Sequence, residues 1–346
     1  MSQTNQMSYS SSSSLDSSSE TSAEKTVLVT GGAGFIGGHT AMALLERGDK
    51  VVVIDELNDY YDVNMKQDNL QLLHQFKDRF FFYQGDICDA ALIDKIFLSH
   101  DITHVCHLAA RAGVRPSIDN PFIYGQTNIM GSITLFEAAV KFDCVNFVYA
   151  SSSSVYGGSL KEQFSESDAV DHPVSQYAAT KKSIELFAST YNHLYGLNCT
   201  GLRFFTVYGP RGRPDMAPFK FMHRIINGEA IDQYGDGTSE RDYTFVEDIV
   251  KGVLLAVDKP LGNEVFNLGR GTPCSLNVFI KTVENLCGRK AVINYMPEQP
   301  GDVPRTCADT SKAERMLGYQ ATVPLEIGLQ KTLEWYHGFQ QGEAPL

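Results

Sequence analysis

The sequence predicts an α/β fold: a doubly wound parallel sheet with helices on both faces, joined to a smaller, partly interleaved C-terminal region. Three observations predict it. Short β-branched runs alternate with longer helical patterns from Lys25 to about Tyr208, as in βαβ units. A glycine-rich run follows the first predicted strand. After Gly209 the alternation loosens, and proline and glycine become frequent.

The predicted elements follow one another as pairs of a strand and a helix. Apolar, β-branched runs predict the strands, and the stretches between them carry apolar residues at helical spacing. In chain order the pairs are KTVLVT and TAMALLERG, KVVVID and VNMKQDNLQLLHQF, RFFFYQ and AALIDKIFLS, HVCHLAA and IYGQTNIMGSITLFEAAVKF, NFVYAS and SQYAATKKSIELFASTYNHLYG, and then the strand NCTGLRFF. Further on we expect short strands at 230–234 and 241–246, an isolated helix at 276–286, and segments near 241–268 that rejoin the main domain.

Composition excludes several classes of protein. The chain of 346 residues is 43% hydrophobic and 20% charged, which is typical of globular proteins, and its net charge of −12 argues against a nucleic-acid surface. Seven cysteines without a CxxC pair favour reduced thiols and a cytoplasmic enzyme. Residues 1–24 contain eleven serines and no Lys or Arg, so we expect a disordered tail. No apolar run is long enough to span a bilayer, and we expect neither a membrane partner nor a metal.

The run LVTGGAGFIGGH predicts a dinucleotide site. It follows a predicted strand and opens a predicted helix, and its glycines allow the backbone to approach a pyrophosphate. Asp55 ends the second strand, 18 residues after Gly37 (55 − 37). A carboxylate there accepts hydrogen bonds from the adenosine ribose and repels a 2′-phosphate, so the sequence favours NAD over NADP.

Tyr177 and Lys181 indicate proton chemistry at an alcohol. Their spacing of four places both on one face of a helix, where the ammonium favours the phenolate. A tyrosine tuned in this way serves as a base near neutral pH. Such pairs are often only structural, but the glycine run and the serine block 151–154 precede this one in the order expected of an alcohol-oxidising site. With NAD, the pair indicates reversible oxidation of an alcohol.

The motifs together resemble the extended short-chain dehydrogenase/reductase family. They are TGxxGxxG from Thr30, GDICD at 85–89, HLAA at 107–110 and YxxxK at 177–181, and the resemblance extends from Lys25 to Phe339. It implies an NAD-binding Rossmann domain at 25–208, a mainly substrate-binding region at 209–346, and a homodimer formed through helices near 122–142 and 175–195. The cofactor contacts that it implies are Gly31, Gly34, Phe35, Ile36, Asp55, Asn58, Asp86, Ile87, Leu108, Ala109, Ala110, Asn128, Tyr177 and Lys181.

Within this family, the serine block indicates which reaction follows oxidation. Members that dehydrate or decarboxylate nucleotide sugars carry an acid before VYG, where this chain has Ser154. Without that acid, a 4-keto sugar takes its hydride back from the reduced cofactor. The product is the C4 epimer if the sugar has turned its opposite face toward the cofactor. Ser152 lies 25 residues before Tyr177 (177 − 152), where sugar epimerases place a proton-relaying hydroxyl. The resemblance implies Ser152, Tyr177 and Lys181 as catalytic residues.

Later segments resemble NAD-dependent UDP-glucuronate 4-epimerases. They are HLAARAGVRPS, QPGDVP, and the run from HPVSQY to RGRPDM, with Thr206 and Gln299 departing from the UDP-galactose 4-epimerase pattern. The resemblance implies a UDP-sugar substrate whose binding residues are Arg115, Ser152, Ser154, Tyr177, Thr206, Arg213, Arg241 and Asp302. Ser154, Thr206 and Arg213 are the candidates for binding a C6 carboxylate, with Arg211 as an alternative to Arg213. UDP-glucose or UDP-N-acetylhexosamine epimerisation, a dehydratase or decarboxylase, and a non-catalytic NAD-binding scaffold stay open.

Overall fold

The structure, a computed structural model, describes residues 25–298 and 302–340. The serine-rich segment 1–24 and Gln299 lie outside the described residues. The strands are β1 (Thr26–Thr30), β2 (Lys50–Asp55), β3 (Phe80–Gln84), β4 (His104–His107), β5 (Asn146–Ser152), β6 (Cys199–Phe204), β7 (Thr206–Tyr208), β8 (Ala230–Tyr234), β9 (Glu240–Arg241), β10 (Tyr243–Phe245), β11 (Asn263–Leu268), β12 (Cys274–Ser275) and β13 (Val292–Met296). The α-helices are α1 (Phe35–Glu46), α2 (Val63–Leu73), α3 (Ala90–His100), α4 (Val114–Asp119), α5 (Pro121–Tyr124), α6 (Gly131–Lys141), α7 (Gln176–Tyr195), α8 (Ala217–Asn227), α9 (Val246–Asp258), α10 (Leu276–Cys287), α11 (Ser311–Leu317) and α12 (Leu325–Gln340).

Seven strands form the central sheet, in the order β11-β6-β5-β4-β1-β2-β3. Every neighbouring pair in this sheet is parallel. The predicted doubly wound fold is therefore confirmed. The order reverses between β1 and β4, and in such sheets ligands bind at this point, beside the carboxyl ends of the strands. β11, from the segment expected to rejoin the main domain, forms the edge beside β6.

The sheet separates two hydrophobic cores, because successive strand residues face opposite sides. On one face, Val29 and Val53 belong to a cluster with Leu44 of α1 and Val253 of α9. On the other face, residues of α3, α6 and α7 pack against the alternate strand positions. A third cluster joins α8, α10 and α12 in the C-terminal region. No helix within the described ranges is both long and apolar enough to cross a membrane.

A buried ion pair ties α7 to the sheet. Arg203 on β6 donates two hydrogen bonds of 2.8 Å to the Glu185 carboxylate on α7, and only 3% and 4% of the two side chains are exposed. Ser151, at the end of β5, donates to the same carboxylate at 2.6 Å. Burial alone would raise the pKa of Glu185, but the contacts with Arg203 outweigh it and the pKa is lowered. The network holds the tyrosine and lysine of α7 against the serine block of β5.

We predict that Glu185→Leu destabilises the protein by about 3–5 kcal/mol, because it leaves the Arg203 guanidinium buried without its carboxylate. The double variant Glu185→Leu/Arg203→Met should lose less unfolding free energy than Glu185→Leu, since it removes both charges. Urea unfolding followed by circular dichroism measures the free energy of unfolding. The more exposed pair Lys141–Asp94 is the control, and Lys141→Met should cost less than ~1 kcal/mol. Equal losses for Glu185→Leu and Lys141→Met would contradict the prediction.

Candidate active site

A cleft of about 420 Å³ opens at the carboxyl ends of the central strands. This volume is in the range of small-molecule sites. No cluster of three or more metal-ligating side chains occurs in the part of the chain that the structure describes. The predicted site residues that line the cleft are Gly31, Gly34, Phe35, Ile36, Asp55, Asn58, Asp86, Ile87, Leu108, Ala109, Ala110, Ser152, Ser154, Tyr177, Lys181, Thr206 and Arg213.

Two glycines after β1 lie too close to their neighbours to carry side chains. Gly31 has a φ of +70°, and a Cβ there would lie 2.8 Å from the Ala109 backbone. A Cβ on Gly37 would lie 2.1 Å from the Gly31 carbonyl oxygen. Helix α1 begins at Phe35 in the cleft wall, and the first N–H groups of a helix lack intrahelical acceptors. The loop therefore fits a pyrophosphate, which binds backbone N–H groups at close approach.

Asp55 is fixed where β2 meets the cleft. Its Oδ2 accepts a hydrogen bond of 3.1 Å from the Ala33 N–H, and its Oδ1 accepts one of 2.9 Å from the Leu57 N–H. Burial raises the pKa of Asp55, although both N–H groups oppose this shift. The carboxylate thus joins the glycine loop to the strand end at which the adenosine ribose of a dinucleotide binds.

A buried chain of hydrogen bonds aligns the loops after β1 and β4. His107 Nδ1 lies 2.7 Å from Thr30 Oγ1, and His107 Nε2 lies 2.9 Å from Ser132 Oγ. Thr30 Oγ1 also accepts a hydrogen bond of 3.1 Å from the Ala109 N–H. Burial lowers the pKa of His107 to about 3, so the ring is neutral at physiological pH. His107 therefore positions the loop that follows it.

Tyr177, Lys181 and Ser152 share one wall of the cleft. The Lys181 Nζ donates a 2.7 Å hydrogen bond to the Ala150 carbonyl and lies 6.0 Å from the centre of the Tyr177 ring. Ser152 Oγ accepts a 3.1 Å hydrogen bond from the Ser154 N–H. The Ser152 hydroxyl proton is therefore available for its hydrogen bond with the Tyr177 phenol. This arrangement can pass a proton between a bound hydroxyl and the phenol.

The pKa shifts of Tyr177 and Lys181 differ from the expectation that Lys181 lowers the pKa of Tyr177. Burial raises the pKa of Tyr177, and the hydrogen bond with Ser152 and the charge of Arg213 lower it less strongly. Burial also lowers the pKa of Lys181 to about 7. The predicted lowering of the Tyr177 pKa by Lys181 is therefore wrong for the protein on its own, because burial penalises both charged forms. Ser152 and Arg213 are the groups that favour the phenolate.

Arg213 reaches the cleft, whereas the alternative candidate Arg211 does not line it. Arg213 Nε and Nη2 donate to the two carboxylate oxygens of Asp215 at 3.0 and 2.6 Å. The guanidinium carbon lies 5.2 Å from the centre of the Tyr60 ring. Burial opposes the charged form of Arg213, but Asp215 outweighs it and the pKa is raised. The guanidinium is thus held charged in the cleft wall.

Four predicted residues do not line the cleft. Asn128 is fully buried, and its amide bonds to the Arg111 backbone. Arg115 and Asp302 form an ion pair of 2.7 Å with each other. Arg241, on β9, donates to the carbonyl of the preceding residue. The ligand-binding roles of these four residues stay predictions.

Several residues of the cleft wall were missed by sequence reasoning. They come from the loops after β2 and β4, from α2, from the π-helical turn Gly125–Met130 and from the segment before α8. For Glu56 and Arg111, the position in the sequence was the one available signal. Glu56 directly follows Asp55, and Arg111 directly follows HLAA. Among the missed residues are Glu56, Tyr60, Tyr61, Lys66, Arg111, Thr127 and Met216.

Known proteins show the same architecture. A family model described as GDP-mannose 4,6 dehydratase matches residues 28–332. UDP-glucuronate 4-epimerase 3 of Arabidopsis thaliana is 47% identical over 335 residues, covering 92% of this chain and 77% of the relative. The structure of UDP-glucuronic acid 4-epimerase from Bacillus cereus, in complex with UDP-glucuronic acid and NAD, is 35% identical with a TM-score of 0.86 over 91% of this chain and 99% of that chain. UDP-glucose 4-epimerase from Thermotoga maritima, with UDP-glucose, is 35% identical with a TM-score of 0.84 over 91% and 99%.

These matches span nearly the whole described chain. The glycine loop, Asp55 and the YxxxK pair lie together in the cleft. The residues present fit NAD, which the B. cereus structure contains. The chain belongs to the extended short-chain dehydrogenase/reductase family and, within it, to the NAD-dependent UDP-sugar 4-epimerases.

Proposed function

We propose that this chain interconverts UDP-glucuronate and UDP-galacturonate by inverting C4 of the sugar. One observation carries the proposal: the Arg213 guanidinium lines the same cleft as Tyr177, together with the hydroxyls of Ser154 and Thr206. A guanidinium binds a carboxylate through two parallel hydrogen bonds, and hydroxyls supply further donors. The Arabidopsis and B. cereus proteins, both named for this substrate, support the same sugar class.

The side chains divide the work at C4. When bound, NAD supplies the hydride chemistry by accepting a hydride from C4 and returning it. Ser152 would pass the proton of the C4 hydroxyl to Tyr177, using the hydrogen bond that already joins the two side chains. Lys181 keeps its nitrogen near the phenol through its bond to the Ala150 carbonyl. Once the 4-keto sugar has turned its opposite face toward the cofactor, Tyr177 would return the proton to the C4 oxygen. The C4 configuration would then be inverted.

The distribution of acids favours epimerisation over elimination. The Asp and Glu residues among the described cleft lining are Asp55, Glu56 and Asp86. Asp55 is the last residue of β2, Glu56 follows it, and Asp86 lies in the loop after β3. Ser154 occupies the position at which dehydratases of this family carry an acid. Without an acid there to move a proton at C5 or C6, hydride return is the route left to the 4-keto sugar.

Asp215 competes with a substrate carboxylate for Arg213. It occupies the Nε and Nη2 donors, so a uronate must either displace Asp215 or bind the remaining Nη1 edge. The Asp215 side chain is 41% exposed, whereas that of Arg213 is only 17% exposed. Water can solvate the Asp215 carboxylate when a uronate displaces it, and the uronate carboxylate then pairs with the guanidinium in its place.

We also propose a division of the chain into two binding regions, and a homodimeric assembly. Residues 25–208 bind NAD, and the region from 209 mainly binds the substrate, with Arg241 and Asp302 contacting the nucleotide. The chain acts in the cytoplasm as a homodimer formed through the helices near 122–142 and 175–195. Exposed apolar residues on these segments support the dimer, among them Phe122, Met130, Leu186 and Leu194.

Product analysis tests the substrate. The purified protein would be incubated separately with UDP-glucuronate, UDP-glucose and UDP-N-acetylglucosamine, and the products separated by ion-exchange chromatography. We expect UDP-galacturonate from the first and little conversion of the others. Rapid conversion of UDP-glucose without turnover of UDP-glucuronate would overturn the proposal. Release of carbon dioxide or water would indicate a decarboxylase or dehydratase.

Tyr177→Phe should lower turnover about 10²–10⁴-fold, because it removes the proton acceptor and leaves the ring in place. The NAD content of the purified variant should match that of the wild type. Tyr124→Phe is the control: Tyr124 packs edge-on against Tyr177 with ring centres 6.3 Å apart, and its hydroxyl donates to the Ala112 carbonyl. It should retain most activity. A Tyr177→Phe rate close to that of the wild type would remove Tyr177 from the chemistry.

Arg213→Met should weaken UDP-glucuronate binding about tenfold to hundredfold, since hydrogen bonds to charged groups contribute about 1.5–3 kcal/mol. Binding of UDP-glucose should change little, because it has no carboxylate. Isothermal titration of the NAD-loaded protein measures both affinities. Arg211→Met removes the same charge from the same loop outside the cleft lining and should leave the preference intact. Equal losses for both sugars in Arg213→Met would exclude Arg213 as the carboxylate ligand.

We expect Leu186→Glu to convert the dimer into monomers, because it replaces an exposed apolar side chain of α7 with a charge. Sedimentation equilibrium should give twice the chain mass for the wild type and the chain mass for the variant. Lys161→Glu, on an exposed loop outside both helical segments, should stay dimeric. A monomeric wild type would refute the assembly.

A further inference from the structure

Tyr60 contacts the guanidinium to which the proposed function assigns the uronate carboxylate. The guanidinium carbon of Arg213 lies 5.2 Å from the centre of the Tyr60 ring, and Arg213 Nη2 donates a hydrogen bond of 3.4 Å to the Tyr60 hydroxyl. Both side chains line the cleft. A guanidinium near the face of an aromatic ring is attracted by the negative charge of that face. The Tyr60 ring therefore restrains the position of Arg213.

The loop that carries Tyr60 is anchored independently of Arg213. It comprises residues 56–62 between β2 and α2. The Tyr60 N–H donates a hydrogen bond of 3.1 Å to Asn58 Oδ1, and Lys66 Nζ, on α2, donates to the carbonyl and Oδ1 of the same asparagine at 2.6 and 3.1 Å. Tyr60 is thus fixed to β2 and α2, whereas Arg213 belongs to the segment before α8.

Tyr60 extends from this loop toward the tyrosine that moves the proton. Tyr124 packs edge-on against Tyr177, with ring centres 6.3 Å apart. Burial raises the pKa of Tyr124 to about 12, and Tyr60 and Tyr177 add to the rise while Arg213 opposes it. All four side chains therefore lie within electrostatic range of one another's neighbourhood at the sugar end of the cleft, although the loop of Tyr60 begins at the cofactor edge.

The contact with Tyr60 can persist when a substrate carboxylate replaces Asp215. Asp215 holds Arg213 through Nε and Nη2, at 3.0 and 2.6 Å, and a uronate that displaces it removes both hydrogen bonds. The attraction between a ring and a cation occupies no N–H donor. The Tyr60 ring therefore competes with neither carboxylate, and it keeps the guanidinium in place while one carboxylate replaces the other.

We propose that Tyr60 is a positioning residue, which holds Arg213 for the substrate carboxylate and thereby strengthens the preference for a uronate over a neutral sugar. The ring carries this role, and the hydroxyl is dispensable. The inference rests on the proposed function, in which Arg213 binds the C6 carboxylate.

Substrate titrations test the role of the ring. The protein, in saturating NAD, would be titrated with UDP-glucuronate and with UDP-glucose by isothermal titration calorimetry. Tyr60→Leu removes the ring and should weaken UDP-glucuronate binding about threefold to thirtyfold, as expected for loss of a cation–π contact. UDP-glucose binding should change little, because this sugar has no carboxylate. Tyr60→Phe keeps the ring and should retain the wild-type preference.

Tyr295→Leu is the control, because Tyr295 is an exposed tyrosine of β13 outside the cleft lining. It should leave both affinities unchanged. A preference for UDP-glucuronate that survives Tyr60→Leu, or equal losses for the two sugars, would overturn this inference alone. Loss of the preference in Tyr60→Phe would also overturn it, since the ring is still present there. A wild type without the preference would overturn the proposed function and this inference with it.

A double-variant cycle separates positioning from a general change in the shape of the cleft. In the Arg213→Met background, Tyr60→Leu should cause no further loss of UDP-glucuronate affinity, because its effect passes through Arg213. Equal losses from Tyr60→Leu in the wild-type and Arg213→Met backgrounds would contradict the positioning role.

Discussion

The buried ion pair between Arg203 and Glu185 is the interaction on which the active site depends. Its two ends lie on β6 and α7, and Ser151 joins the carboxylate from the end of β5. Because a buried charge is stable only when it is paired, these three elements have one relative position. The helix that carries Tyr177 is thereby registered against the strand that carries Ser152. The proton path across the cleft follows from this registration.

The cleft binds anionic ligands although the chain carries a net charge of −12. Groups within the cleft, and not the net charge of the chain, determine the electrostatic potential that a ligand meets. At the cofactor end, a glycine-rich loop presents backbone N–H groups, Asp55 is tied to that loop, and Arg111 pairs with Glu56. At the other end, hydroxyls and Arg213 line the wall. Fixed backbone dipoles and single cations supply a local positive potential that does not depend on the sign of the net charge of the chain.

Much of the fold could be predicted because β-branched runs, helical spacing and glycines report directly on backbone geometry. The sequence predicts that segments near 241–268 rejoin the main domain, and it does not predict that β11 pairs with β6 at the sheet edge. The sequence could not reveal contacts between distant elements, such as Arg203 with Glu185 or Asn128 with Arg111. It also misled on Tyr177: spacing places Lys181 on the same helix face, but burial depends on everything packed around the pair, and burial decides both pKa values.

Arg213 connects recognition of the sugar with its chemistry. Its charge lowers the pKa of Tyr177 against the effect of burial, and it is also the proposed ligand of the C6 carboxylate. A carboxylate arriving at an unpaired guanidinium would weaken that effect on the phenol. Here Asp215 already neutralises Arg213, so a uronate that displaces Asp215 exchanges one carboxylate for another. The electrostatic environment of Tyr177 is then nearly the same before and after the uronate binds, which allows substrate selection without a penalty in proton transfer.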